Sequence, residues 1–341
     1  MKNELFMKRC IELAKMAIGQ TYPNPLVGSI IVHNGKIIGE GYHHKAGEVH
    51  AEINAINSVK DASLLPFSDI YVSLEPCAHF GKTPPCALKI KEIGFKKVFI
   101  GALDPHEKVN GQGKKIIEEA GIEVTDGILE KECRELNKRF FTFHQKKRPY
   151  ILLKWAQSED GFLDANFKPV PIGNPLTQQF VHVLRNQEHA ILVGTQTALN
   201  DNPSLTTRAV AGRNPTRILI DFDLKVPSSY QIFNKDAQTI IFNGMKNQIE
   251  NHLHFIKIEK ENSMQQLLTK LYEHQIQSVL VEGGRSTLQQ FIDAGIWDEA
   301  IIIKNPNLRL EKGTKTPEFN GENGKSTQFR DNEVVFYENK C

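Results

Sequence analysis

The sequence lacks any apolar stretch long enough to cross a bilayer, which takes about 18 residues, so no transmembrane helix is expected. It also lacks charge of one sign: 42 basic against 40 acidic residues leave a formal net charge of +2. A dedicated nucleic-acid binder gathers a larger basic surplus into patches. The longest basic cluster here, Lys146-Lys147-Arg148, runs into Pro149 and reads as a linker. Cysteine is sparse. Cys10, Cys77, Cys86, Cys133 and Cys341 form an odd, unevenly spaced set, which argues against a disulfide framework. The opening residues, Met1-Lys2-Asn3-Glu4-Leu5, do not begin a signal peptide. No G-x-G-x-x-G follows any predicted strand, so a Rossmann dinucleotide fold is unsupported. Internal repeats and low-complexity segments are absent. These exclusions leave a cytoplasmic protein with a small-molecule substrate, no nucleic-acid partner and no membrane partner. A homo-oligomer is the expected form.

At about 150 residues per domain, 341 residues predict two domains. In the first half, helical spacing covers residues 4–18. Asn34-Gly35 joins two short apolar runs, 27–32 and 36–41, as a hairpin. Helices are predicted over 50–59, 87–93 and 111–120, and strands over 70–73, 98–101 and 122–125. One closing helix is predicted over 130–143. This alternation predicts a three-layer α/β domain over 1–145. The basic, proline-bearing segment 145–149 is the expected boundary, and a second α/β domain covers 149–341. Its strands are expected at 150–156, 190–194, 217–221, 239–242, 279–281 and 300–304. Its helices are expected at 177–186, 264–274 (capped by Ser263) and 287–294.

His50-Ala51-Glu52 precedes Glu75-Pro76-Cys77 and Cys86. One imidazole and two thiolates suit zinc. Three protein ligands leave a fourth position for water, the arrangement of catalytic zinc, which lowers the pKa of that water from about 15.7 to about 7. Glu52, two residues from the histidine, is a natural general acid/base. The pattern His-x-Glu…Pro-Cys-x-x-Cys marks zinc nucleobase deaminases. Here eight residues, not two, separate the cysteines. The inserted loop, Ala78-His79-Phe80-Gly81-Lys82-Thr83-Pro84-Pro85, brings polar and basic groups that suit a phosphate-bearing substrate. A fourth ligand at His79 would make the site structural instead. The bland alternative is a buried histidine with unrelated cysteines.

In the second half, Val281-Glu282-Gly283-Gly284-Arg285-Ser286-Thr287 runs from strand into helix. Its glycines let backbone approach a phosphate, and the helix start offers N–H groups.

Two sets of segments carry a closer resemblance. The first is Thr21-Tyr22-Pro23-Asn24-Pro25-Leu26-Val27-Gly28, Gly41-Tyr42-His43, His50-Ala51-Glu52 and the span Glu75–Cys86. It resembles the deaminase half of the bacterial bifunctional riboflavin biosynthesis proteins, and its order and spacing differ from cytidine and tRNA adenosine deaminases. Asp104-Pro105-His106 also matches. The second set is Lys154–Gly161, Leu184-Arg185, Ile191–Thr197 and Asp201–Arg208, which resembles the reductase half of the same proteins. The resemblance implies a cytidine deaminase-like three-layer α/β/α domain and a dihydrofolate reductase-like α/β domain. It implies one zinc per chain on His50, Cys77 and Cys86, with Asn24, His43, His79, Lys82 and Thr83 lining the pyrimidine ribotide site. It implies NADPH contacts at Ala156, Thr197, Asp201, Gly284, Arg285, Ser286, Thr287 and Leu288. Reductase-substrate contacts are implied at Arg185, Leu205, Arg208 and Glu282. Either Lys154 or Asp201 would steer the proton to the opening sugar ring. The implied sequence is hydrolysis of the 2-amino group of 2,5-diamino-6-ribosylamino-4(3H)-pyrimidinone 5′-phosphate, then reduction of ribosyl to ribityl. The chain departs from the family at 166–175, which lack the usual Trp-Ile-Thr run, and over 305–341, which keep Pro306 and Gly313. Other classes are a nucleic-acid or nucleoside deaminase with an accessory domain, and a non-catalytic zinc-stabilised module.

Overall fold

The structure, a computed structural model, describes residues 2–80, 84–107 and 109–339. The chain divides into two compact units, Met1–Lys147 and Arg148–Cys341. The first comprises α1 (Lys2–Lys15), β1 (Gly28–His33), β2 (Lys36–Tyr42), α2 (Ala51–Ser58), β3 (Asp69–Leu74), α3 (Cys86–Ile93), β4 (Lys97–Ala102), α4 (Gln112–Glu118), β5 (Glu123–Thr125), α5 (Glu130–Leu136) and α6 (Lys138–Lys146). Asn34 and Gly35 both take positive φ, +48° and +77°, as a two-residue hairpin requires.

Among the described residues the sheet runs β2-β1-β3-β4-β5, antiparallel on the hairpin side and parallel from β3 to β5. The central strands β1, β3 and β4 are buried on both faces and sort their side chains with period two. Ile30, Val32, Tyr71 and Phe99 pack with Met7, Cys10, Cys133 and Phe141 of the helices on one face. Ile31, Ile70, Val72, Val98 and Ile100 pack with Ala55, Ala87, Ile90 and Ile117 on the other. The sheet is therefore the middle of three layers, with α1, α5 and α6 on one side and α2, α3 and α4 on the other.

The closing helix differs from expectation: it breaks at Asn137 (φ −107°, ψ 21°) into α5 and α6. The Asn137 side chain accepts from the Leu26 N–H and donates to the Leu26 carbonyl, each at 2.8 Å. That pair of bonds fixes the bend and ties down the segment preceding β1. Residues 145 and 146, expected in the linker, continue α6.

The second unit comprises β6 (Tyr150–Ser158), α7 (Pro175–Gln187), β7 (Ala190–Gly194), α8 (Thr195–Asp201), β8 (Thr216–Ile220), β9 (Thr239–Asn243), β10 (Gln248–Glu250), β11 (Leu253–Lys257), α9 (Ser263–Glu273), β12 (Ser278–Val281), α10 (Arg285–Asp293), β13 (Glu299–Asn305), β14 (Lys325–Phe329) and β15 (Asn332–Glu338). Its sheet runs β10-β11-β9-β8-β7-β12-β6-β13-β15-β14. The strands from β11 to β13 are parallel, and the outer β10, β15 and β14 pair antiparallel. The divergent tail thus extends the sheet beyond β13. Ser263 is not the cap of α9. The chain enters through Asn262 in the left-handed region (φ +55°), which makes Ser263 the first helical residue. Among the described residues, no helix is long and apolar enough to cross a membrane.

Candidate active sites

In the first unit, two helix starts and one strand end meet. His50 is the N-cap of α2, Cys77 lies just past β3, and Cys86 opens α3. The Nδ1 atom of His50 lies 3.5 Å from Cys77 Sγ and 3.4 Å from Cys86 Sγ. A tetrahedral zinc with bonds of about 2.0 Å to nitrogen and about 2.3 Å to sulfur holds such atoms about 3.5 Å apart, so the donor set fits the metal. The Cys86 N–H donates to Cys77 Sγ at 3.2 Å. Hydrogen bonds from Cys86, with His50 beside it, lower the Cys77 thiol, and the pairing raises Cys86. Among the described residues these three side chains form the cluster able to hold a metal. His79 is not part of it. The four-ligand structural alternative therefore finds no support, and the His79 ring lies 6.1 Å from that of His106. Lys82 and Thr83 lie outside the described residues.

Glu52 sits in the first turn of α2 and is 3% exposed. Burial, with Cys77 close by, pushes its carboxyl up to about 7. His43 is buried next to the cluster, its ring 5.3 Å from that of His50. Its Nδ1 donates to the Val49 carbonyl at 3.1 Å, which leaves Nε2 to accept from the Asn24 side-chain amide at 3.0 Å. Burial holds this imidazole below its usual range, consistent with the neutral tautomer. Asn24 and His43 are therefore one hydrogen-bonded pair.

Glu75 has a role that its place in the sequence did not reveal. Its carboxylate accepts from the N–H groups of Asp104, Gly111, Gly113 and Lys114 at 2.9–3.1 Å. It therefore clamps the start of α4 and the 104–111 loop to the strand end that carries Cys77. The signal for this was an acidic residue just past a buried strand.

The second unit has a cleft of about 1350 Å³ at the carboxyl ends of β6, β7, β8 and β12. That is where open parallel sheets bind ligands. Lys154, Ala156, Thr197, Asp201, Glu282, Gly284, Arg285, Ser286 and Thr287 line it. The Gly284 N–H donates to Thr197 Oγ1 at 2.7 Å, and a Cβ at Gly284 would meet that oxygen at 2.9 Å. The glycine lets the end of β12 approach α8. At the start of α10, the amides of Arg285 and Ser286 precede any intrahelical carbonyl.

Glu282 is the centre of the charged end. Arg185 grips it with two bonds, Nε at 3.1 Å and Nη2 at 2.9 Å, and Lys154 Nζ stands 3.8 Å away. Burial alone would raise Glu282, but the two cations hold it at about 2. Burial lowers Lys154 and raises Asp201. Arg208 is exposed, and its guanidinium donates to Ser204 Oγ at 2.9 Å. Two predicted contacts stand differently. The Leu205 and Leu288 side chains are buried in the two cores, 3% and 0% exposed. Each has only backbone to offer a ligand, and the Leu288 N–H already bonds the Gly284 carbonyl.

Sequence reasoning also missed Asp221 on the cleft wall. It accepts from Thr195 Oγ1 and from the Val226 N–H at 3.1 and 2.9 Å, fixing the start of α8. The signal was an acid closing a predicted strand.

Residues 1–102 match the cytidine and deoxycytidylate deaminase zinc-binding region, and residues 149–339 match the RibD C-terminal domain. The riboflavin biosynthesis protein RibD of Aquifex aeolicus (strain VF5) is 39% identical over 313 residues, covering 90% of this chain and 87% of its own. That of Escherichia coli (strain K12) is 34% identical over 327 residues, covering 90% and 89%. The chain belongs to the RibD family. A crystal structure from Thermotoga maritima, described as a diaminohydroxyphosphoribosylaminopyrimidine deaminase/5-amino-6-(5-phosphoribosylamino)uracil reductase, superposes with a TM-score of 0.89. It is 36% identical and covers 100% of this chain and 99% of its own. RibD proteins are the bifunctional deaminase/reductases of riboflavin biosynthesis, with a zinc-binding deaminase domain and an NADPH-dependent reductase domain. A nucleic-acid deaminase with an accessory domain is not favoured, because the second unit is that reductase domain.

Proposed function

We propose that the first unit deaminates the diaminopyrimidine ribotide and the second reduces the ribosyl group of the product. The deaminase is assigned to residues 1–145 and the reductase to residues 149–341. The observation that carries the deaminase assignment is the His50, Cys77, Cys86 triangle beside the buried Glu52. Zinc held by those three residues supplies a water-derived nucleophile at neutral pH. Glu52 takes the proton of the attacking water and passes it to the departing amino nitrogen, so that water and amine become carbonyl and ammonia. The Asn24–His43 pair orients the pyrimidine edge, and His79, Lys82 and Thr83 meet the phosphate end.

In the reductase, Ala156, Thr197, Asp201 and the turn from Gly284 to Leu288 hold NADPH, which supplies a hydride. Arg185 keeps Glu282 ionised and aimed, and the Leu205 backbone with the Arg208 and Glu282 side chains grips the ribotide. The opening sugar oxygen takes its proton from Lys154 or Asp201. Full NADPH oxidation by Asp201→Asn would assign that proton to Lys154. The free thiols of Cys10, Cys77, Cys86 and Cys133 fit a reducing cytoplasm. The expected homo-oligomer is read by sedimentation equilibrium.

One assay follows ammonia and NADPH together on the diamino ribotide. Glu52→Ala abolishes ammonia release, while reduction of pre-deaminated substrate survives. Loss of both activities at once would contradict two independent sites.

A further inference from the structure

His182 is a buried titratable group that the mechanism above does not use. It lies on α7 one turn before Arg185, so the two share a helix face. Its side chain is 7% exposed. From that face α7 holds the segment 204–208 at two points. Arg185 Nη1 donates to the Thr206 carbonyl at 3.4 Å, and the Arg208 N–H donates to His182 Nδ1 at 3.3 Å. A third anchor is Asn214, whose Oδ1 accepts from the Thr207 N–H at 2.9 Å.

The segment needs these anchors because its backbone is unfavourable. Leu205 takes φ +55°, a left-handed conformation that disfavours a bulky L-residue by about 1–2 kcal/mol. Such a conformation persists only where the surroundings over-determine it. The turn has a chemical result. Ser204 Oγ comes within 2.9 Å of Arg208 Nη1 and 3.1 Å of Thr206 Oγ1. Two hydroxyls and a guanidinium thus converge on one spot, a set of donors that suits an anion.

We propose that His182 is a positioning residue of the reductase: as a neutral acceptor it fixes the Arg208 backbone and so aims the Arg208 guanidinium at the anionic group of the substrate. The proposal rests on the reading of Arg208 as a substrate contact. An acceptor at Nδ1 requires the neutral imidazole with its proton on Nε2. Burial, with Arg185 and Arg208 alongside, holds His182 in that neutral form.

The test uses isosteres in the full-length protein. The Asn side-chain oxygen occupies the place of Nδ1, whereas that of Gln occupies the place of Nε2. With pre-deaminated ribotide, His182→Gln and His182→Leu raise KM about fivefold, the loss of one hydrogen bond. In both, kcat and NADPH affinity hold, the latter read by quenching of Trp155, which lines the cleft. His182→Asn keeps KM near wild type. Tryptophan fluorescence melts check folding, and if the Leu variant is unfolded the Asn and Gln pair decides. Arg208→Ala is the control. If it raises KM while the Gln variant does not, His182 plays no positioning part and the proposal is overturned. A Gln variant that loses kcat at constant KM, or an Asn variant as impaired as Gln, overturns it equally. If Arg208→Ala leaves KM unchanged, the reading of Arg208 as a substrate contact falls, and the proposal falls with it.

Discussion

Two buried charged side chains, neither assigned a catalytic role, hold segments next to the candidate sites. The Glu75 carboxylate absorbs four backbone N–H groups, so replacing it leaves donors without a charged acceptor. Glu75→Gln puts an amide NH₂ against those donors. We expect a loss of roughly 2–3 kcal/mol in stability. Zinc retention should also weaken, measured as metal content after dialysis against a mild chelator. Arg217 is the counterpart in the second unit. Fully buried in β8, it donates to Thr239 Oγ1 at 3.0 Å, to Asn234 Oδ1 at 2.8 Å and to the carbonyls of Ser204, Gln231, Asn234 and Ala237. Burial lowers it to about 10. Arg217→Met orphans several of these acceptors and is expected to destabilise the second unit by roughly 3 kcal/mol, read by urea titration. Lysine does not restore it, because a single ammonium cannot reach the three segments that the planar fork bridges.

At the scale of elements, the first site depends on how closely α4 docks on the turn after β3. Gly113 makes that contact: a Cβ there would run into the Pro76 carbonyl oxygen. Gly113→Ala therefore pushes α4 away from the Cys77 strand end. Deaminase activity and zinc content should fall together, while NADPH oxidation with pre-deaminated substrate is spared; intact zinc content in this variant would sink the argument. The elements that positioned the zinc ligands were legible because their signals are local. Asn34-Gly35 set the hairpin, and short apolar runs set β3 and β4. The elements that escaped carry little apolar pattern. In α8, Ala198 is the buried residue of a seven-residue helix. The strand β14, Lys-Ser-Thr-Gln-Phe, is exposed over its first four positions, and β10 is three residues long. These form because a neighbouring strand offers an edge. The break at Asn137 was hidden because its cause is a bond to Leu26, far away in sequence. His182 and Asp221 were within reach of a helical wheel and of strand-end reasoning, but their partners lie on other elements.

Across the whole chain, the two units respond differently to acid. His189 is half-buried, accepts from the Gln277 N–H at 3.2 Å, and is lowered to about 3, by desolvation first and Arg213 second. Its folded pKa lies below the unfolded value of about 6.5. Its stabilisation is therefore fully present above pH 6.5 and is lost as pH falls toward 3, by about 1.4 kcal/mol per unit. Glu282, held near 2, adds to the loss once pH falls below about 4.5. In the first unit the signs oppose. Burial lowers His144 to about 4, so it destabilises in acid, whereas burial raises Asp104 to about 7, so it favours the folded state as pH falls. Both tryptophans, Trp155 and Trp297, lie in the second unit, so their fluorescence reports on it alone. Urea titrations from pH 7 to pH 5 should show the second unit losing roughly 2 kcal/mol. His189→Asn, which keeps an acceptor without titrating, should flatten that slope; an unchanged slope would exclude His189 as its source.

The strand order of the second sheet bears on events at the ribosome. The strand at Tyr150–Ser158 is the first of its unit to be made, yet its two neighbours begin at Ser278 and Glu299. It must wait, apolar and unpaired, while more than a hundred residues are translated. The first sheet joins successive hairpin and crossover strands and can close early. The nascent chain therefore carries a finished deaminase ahead of an open reductase sheet, and that waiting strand is the segment a chaperone would meet first.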